Sequence, residues 1–399
     1  MADREMRKRQ FRTVQADTEE LNKKIRAHRL KIVKITLFIA ALLVLATGAV
    51  LLFFRLKEYT AYEVLESTKR TDTIATKYAS FKDGVIKYSN DGAIYINNSD
   101  EMIWNQTYEM QEPIVDICED YAIFAEKGGK NIYILNSEKL QGNIETTMDI
   151  VSVRVANQGT TAVLMQKDGI SYIQLYDKDG NNLAEGQISI KNSGYPLDIA
   201  LSNDAIKLAV TMLDINEGNI KSMITFYNFG SVGQNEIDHM VGSCSYSDMV
   251  IPQIEFVTND RMLAFGDSKV YIFEGTQKPT QSKEIDIKNE VKSFFFNKDY
   301  LGFIQNKEDE ENTRHMEIYD TKGGHIMSKD FVLDYDTIEF LANNEICIRN
   351  EKECLIYNTY GVKHFVQTFD SPLIKIISGT SSRYYTFILE DTVEKVKLK

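Results

Sequence analysis

Charged residues recur at one place in a series of short apolar segments, and their types and spacing give the clearest opening for chemistry. Asp116 stands in PIVDIC, Asp198 in PLDIAL, Glu255 in PQIEFV, Glu339 in TIEFLA and Lys375 in PLIKII. Arg154 takes the corresponding place in SVRVA, and Ser293 in VKSFFF. A charge between apolar neighbours on an extended segment needs a counter-ion, a hydrogen bond or water, because burying it alone is costly. Two outcomes follow. The charges form a ring that binds a cationic group or an ion, with carboxylates whose titration is displaced by their surroundings. Alternatively they pair with one another and brace the fold. The repetition favours bracing, since working sites are usually asymmetric.

Other candidates are weaker. His28, His239, His315, His325 and His364 are scattered, with no HExxH motif and no His/Cys cluster, so no metal ligands are assigned. The run Asp177-Lys178-Asp179-Gly180-Asn181 resembles the start of a calcium loop but lacks the later bidentate glutamate, and it reads as a hairpin turn. There is no GxSxG elbow, no phosphate-binding loop, no SxDxGxTW box and a single tryptophan, Trp104. No catalytic residue and no cofactor is therefore assigned, and whether the protein is an enzyme stays open. Cys347 and Cys354 lie seven apart in ICIRNEKEC. With Asn350-Glu351 as a turn they face each other across a hairpin, a candidate disulfide if the geometry fits. Cys118, inside an apolar strand, reads as a buried thiol.

The elements that must position these residues are short strands. From residue 60 onward, runs rich in Ile, Val, Tyr and Phe are separated by turn residues every 8–12 positions. One motif, an apolar run followed by a polar turn, recurs as AIYINNSD, NIYILNSE, YIQLYDKDG, ITFYNFGS, VYIFEGTQ, MEIYDTKGG and CLIYNTYG. Its last apolar residues are Ile96, Leu135, Tyr176, Tyr227, Phe273, Tyr319 and Tyr357, and a weaker copy ends at Leu398, so the mean period is near 43 residues. Such a period predicts an all-β β-propeller. Pro113, Pro196, Pro252 and Pro372 each stand at the start of an apolar strand, where a missing N–H is tolerated. Residues 372–399 supply only three strands, and the lone run YTAYEVL at 59–65 supplies a fourth. The expectation is eight four-stranded blades closed by that N-terminal strand, with seven blades as the alternative. The long repeat between Tyr176 and Tyr227 puts extended turns at 213–218 and 228–235, which mark the rim of blade four as a candidate contact.

Residues 35–54, ITLFIAALLVLATGAVLLFF, are twenty in number and carry no charge. As a helix they span about 30 Å, the thickness of a bilayer core. The apolar run is too long, and starts too late, for a cleaved signal peptide. The net charge of −12 divides into +6 for residues 1–34, with 11 basic and 5 acidic side chains, and −18 for the rest. The expected organisation is a basic cytoplasmic tail (1–34), a transmembrane helix (35–54) and an extracellular propeller (55–399) in the cell membrane. Asp17 and Glu20 are a candidate capping pair for a helix starting near Thr18. An acidic ring excludes nucleic acid as a natural partner.

LDIALSNDAIKLAV (197–210) resembles the strand–turn–strand unit of bacterial TolB-like and YVTN-type propellers. With GYPLDIALS, YIQLYDKDGN and FYNFGSVGQNE, the whole chain resembles a bacterial family of single-pass membrane proteins with a β-propeller ectodomain and no assigned function. The resemblance implies architecture and location, and no substrate or site residue. Function is therefore expected on the ring: a protein-binding or scaffold module of the cell envelope, contacting another envelope or membrane protein. The alternative is a small-molecule or glycan sensor or hydrolase working through the central channel, its ligand unknown.

Overall fold

The computed structural model describes residues 18–73, 75–189, 194–216, 218–307, 310–379 and 381–399. It divides after Lys57 into two compact units. The first contains one helix, Thr18–Leu56. Within Asn22–Phe54 its most apolar eighteen residues have a mean hydropathy of 2.8, none of them buried, and the helix is long and apolar enough to cross a membrane. Thr36 and Thr47 donate their hydroxyls to the carbonyls of Ile32 and Leu43 at 3.0 and 2.8 Å, which satisfies both polar groups inside the helix. Asp17 of the candidate capping pair lies outside the described residues.

The second unit, Glu58–Lys399, is a β-propeller of eight four-stranded antiparallel sheets. In seven of them the four strands follow one another in the chain. Their innermost strands are Lys77–Phe81, Pro113–Cys118, Asp149–Val155, Tyr195–Leu201, Gln253–Thr258, Val291–Phe296 and Thr337–Phe340. Blade eight takes Leu373–Ser378, Tyr384–Leu389 and Thr392–Leu398 from the C-terminus and Tyr62–Lys69 from the N-terminal side. The closing pair runs from Tyr62 opposite Leu398 to Lys69 opposite Thr392. The N-terminal strand thereby covers the edge of Thr392–Leu398, which would otherwise be a template for pairing with another chain.

The repeated sequence motif has a structural cause. Ile96, Leu135, Tyr176, Tyr227, Phe273, Tyr319 and Tyr357 each sit at a register shift between the third and outer strands of their blade. A bulge there bends the chain into the next corner. The following residue is Asn or Asp in six blades, and its side-chain oxygen accepts backbone N–H groups of the turn: Asn97, Asn136, Asp177, Asn228, Asp320 and Asn358. Asp177 takes the N–H groups of Asp179 and Asn181 at 2.9 and 2.8 Å, so its loop is a hairpin turn like the others.

Blade four holds the longest hairpin. Its second and third strands, Lys207–Asn216 and Asn219–Asn228, pair up to Asn216 opposite Asn219. Residues 213–216 are therefore strand and not loop, and the 228–235 turn lies at the other end of the same ten-residue strand. The two turns grouped on one rim sit on opposite faces of the ring.

Candidate functional site: the inner ring

The charged residues of the innermost strands fall into two sets. Arg154 organises the first. Its Nη2 donates to Asp198 Oδ1 at 2.9 Å, and its Nε lies 3.8 Å from Glu255 Oε2. Asp116 Oδ2 accepts the Val155 N–H at 2.7 Å, and Asp198 Oδ2 accepts the Ile254 N–H at 3.1 Å. Blades two to five are thus laced together: Asp116, Arg154 and Asp198 each reach the blade after their own, and Glu255 of blade five reaches back to Arg154 of blade three. In the second set, Lys375 Nζ of blade eight donates to Glu339 Oε2 of blade seven at 2.5 Å. Ser293, the uncharged member, shares a hydrogen bond of 2.8 Å with the Tyr335 hydroxyl on the approach to blade seven. The six charged positions read from the sequence thus fall into two separate sets of contacts.

Three carboxylates around one guanidinium leave the first set short of positive charge. Glu255 keeps 26% of its side chain accessible, yet protein surrounds it, and burial pushes its carboxyl up to about 8. Arg154 opposes that rise, and the charges of Asp116 and Asp198 add to it. Burial also raises Asp116 and Asp198, again against the pull of Arg154. Arg154 itself is held protonated: burial works against its charge, and Asp198, Glu255 and Asp116 outweigh it. Cys118 is pushed up to about 12 by burial and the neighbouring acids, which makes it an inert thiol. The arrangement supports inter-blade bracing and holds a displaced carboxyl at Glu255.

Cys347 and Cys354 are both buried thiols with Sγ atoms 3.9 Å apart. Cys347 pairs with Ile356 and Cys354 with Arg349, so the two cysteines are diagonal and not opposite across the hairpin. Among the described residues, no group of three or more His, Cys, Asp or Glu side chains is arranged, as it stands, to hold a metal ion. A cavity of about 490 Å³ opens away from the ring charges, between blades six and seven, where Phe331, Val332, Leu355 and Val366 meet Asp330 and Glu353.

Some polar groups escaped the sequence. Lys207 is buried at 1% exposure, its Nζ donating to Asp260 at 3.0 Å and to the Thr276 carbonyl at 2.9 Å across the blade four–five junction. It sits in the same strand-turn-strand unit that looked generic, and only the neighbouring blade reveals its role. His315, Glu317, His325 and Asp330 come together on blade six. Their signal was the alternation of His315 and Glu317 on a strand that precedes a hairpin.

Residues 55–398 match a family of unknown function, DUF5711. No curated protein matches the chain. Among solved structures it is similar to BamB from Moraxella catarrhalis, at 12% identity and a TM-score of 0.48, covering 84% of this chain and 100% of that one. The Pan2 WD40 domain of Neurospora crassa is similar at 6% identity and a TM-score of 0.43, over 86% and 97% of the two chains. A eukaryotic initiation factor is similar at 10% identity and a TM-score of 0.53, over 86% and 88%. At such identities the last likeness shows the propeller fold alone.

Proposed function

The chain belongs to the family DUF5711, and from that premise we propose that it is a membrane-anchored propeller whose ring binds another protein of the cell envelope. The apolar stretch Asn22–Phe54 serves as the anchor. The basic tail, +6 over residues 1–34, stays in the cytoplasm, and the acidic ring faces outside.

The observation that carries the binding role is the blade-four hairpin. The innermost strand of that blade reaches only to Leu213 and the outer strand only to Lys221. Beyond them Ile215 and Ile220 pair with each other near the hairpin tip, 65% and 38% exposed, and the Asp248 N–H donates to the Ile220 carbonyl at 2.8 Å. An apolar pair held out on a rigid ladder has the character of an interface anchor. The inner charges, by contrast, are largely engaged in holding blades together.

A photo-cross-linking residue at Ile215, in the full chain in its native membrane, tests this reading. One specific protein adduct is expected, lost when Ile220 becomes Ser. Equal yields from Ile215 and from a probe at Leu140, on the outer strand of blade two, would remove the claim.

A second reading is favoured by the excess of carboxylates around Arg154: a cationic small molecule or a glycan bound in the channel. Asp198→Asn with Glu255→Gln then abolishes ligand binding or activity, whereas the first reading leaves partner capture intact.

A further inference from the structure

The helix Thr18–Leu56 carries more than its uncharged run. Residues 35–54 hold no charge, and the helix continues unbroken through the segment before them, 21–34, LNKKIRAHRLKIVK. That segment contains Lys23, Lys24, Arg26, Arg29, Lys31 and Lys34 and no Asp or Glu. Residues 22–34 are exposed along their whole length. Lys23, Arg26 and Arg29 follow one another at intervals of three, and so do Lys31 and Lys34. Like charges are therefore neighbours on the helix surface and repel. No acidic side chain within the segment offsets them.

Ile25 and Ile32 are 42% and 49% exposed. They lie about two turns apart on one side of the helix. Lys23 and Lys34, each two residues from one of them, stand on the opposite side. Lys34 adjoins the uncharged run. At a rise of about 1.5 Å per residue, Lys31 lies about 4.5 Å further along the axis, Arg29 about 7.5 Å and Lys23 about 16.5 Å. Exposed charges interact over about 8 Å in physiological salt. A charged surface at the end of the uncharged run therefore acts on Lys34, Lys31 and Arg29 far more than on Arg26, Lys24 and Lys23.

We propose, on the reading of this helix as a membrane anchor, that the segment binds the phosphate groups of anionic phospholipids, with Arg29, Lys31 and Lys34 as its main contacts. Charge complementarity selects the ligand. Cationic side chains without an acidic one among them favour lipids of net negative charge over zwitterionic ones. The Arg29 guanidinium offers paired N–H donors that fit a phosphate, and each lysine contributes a mobile point charge. Their methylene stems lie along apolar surface while the charged ends stay among the headgroups. Ile25 and Ile32 set an apolar strip beside the charges, as in helices that meet a lipid surface. Each basic residue close to such a surface is worth about fivefold in binding.

For the test, the full chain is reconstituted into vesicles of phosphatidylcholine in which one lipid in five is phosphatidylglycerol. The vesicles are floated on a density gradient. The chain is then released in mild detergent for native mass spectrometry, which counts the lipids it keeps. The native chain is expected to float and to keep phosphatidylglycerol over phosphatidylcholine by about fivefold or more relative to the bulk ratio. Raised salt during release lowers that preference. Arg29→Gln/Lys31→Gln/Lys34→Gln loses it, whereas Lys23→Gln/Lys24→Gln/Arg26→Gln keeps most of it. Lys31→Arg/Lys34→Arg, which preserves the charge, keeps it in full. Circular dichroism checks that each variant is folded. A native chain that floats but keeps the two lipids in their bulk ratio would overturn the proposal and leave the anchor standing. An undiminished preference in the Arg29/Lys31/Lys34 variant would overturn it too, as would an equal loss in the two triple variants. Only a chain that fails to float counts against the anchor itself, and the lipid site falls with it.

Discussion

Seven junctions between neighbouring blades and the eighth are built differently. Apolar clusters join blades one to two, two to three and so on to seven to eight. The junction of blade eight with blade one, where the ring closes, is held by Arg70, which is 7% exposed. Its Nη1 donates to the Glu390 carbonyl at 3.0 Å, its Nη2 to the Thr73 carbonyl at 2.5 Å and its Nε to the Tyr78 hydroxyl at 2.9 Å. Tyr78 and Lys87 both donate to Asp72 at 2.8 Å. The apolar junctions connect blades that follow one another in the chain, and non-directional burial is common to all seven. The eighth must bring together strands from the two ends of the ring, and directional hydrogen bonds fix that register. The comparison teaches that closure relies on directional bonds, where the other junctions add such bonds to a shared apolar volume.

The largest effect is expected at an apolar junction. Phe226 is buried against Phe273 between blades four and five, with ring centroids 5.1 Å apart. Phe226→Ala lowers stability by about 3–5 kcal/mol through lost transfer energy and a cavity, read as a shift in the denaturant midpoint. Arg70→Ala costs about 3 kcal/mol, because it strands buried hydrogen-bonding groups around a removed charge. Its distinguishing mark is hydrogen exchange: faster protection loss first at residues 62–69 and 392–398. If exchange instead rises evenly over all blades, closure is no more specific than the other junctions.

A smaller effect sharpens the inner ring. The Glu255 carboxyl is raised from 4.5 to about 8 by burial, so the folded state holds a proton that the unfolded state releases between those pH values. Stability present below about pH 4.5 is therefore lost as pH climbs through 8. Glu255→Gln removes this slope. Melting temperatures of native and variant chains should diverge steadily from pH 5 to pH 8, the variant being relatively more stable at pH 8. Parallel curves would contradict the assignment of the displaced carboxyl to Glu255.

The architecture was legible because each blade repeats one bulge and one Asn- or Asp-capped corner, and because the lone strand near residue 62 had only one place to pair. The inter-blade contacts of Asp116, Arg154 and Asp198 were partly legible, because a recurring charge among apolar residues on a recurring strand needs a partner. Their division into two sets was not, since it depends on which blade each side chain reaches. Cys347 and Cys354 show the limit in a hairpin. Four residues, Asn350 to Glu353, lie between the paired Arg349 and Cys354 where two were expected, and that moves the cysteines from opposite to diagonal. His315 and His325 show it between strands: ten residues apart in the chain, they meet on a single carboxylate only through the register of blade six. Lys207 and Arg70 were invisible for a further reason, because their partners lie on neighbouring blades.

The central functional claim is that the ring works through its outer surface and that the inner charges brace it. Cross-linking in native membranes of two double variants tests it most directly. With Asp198→Asn/Glu255→Gln the partner adduct is expected to persist, and with Ile215→Ser/Ile220→Ser it should be lost while the ring stays folded. The reverse pattern, capture abolished by the inner pair and untouched by the hairpin pair, would contradict the account.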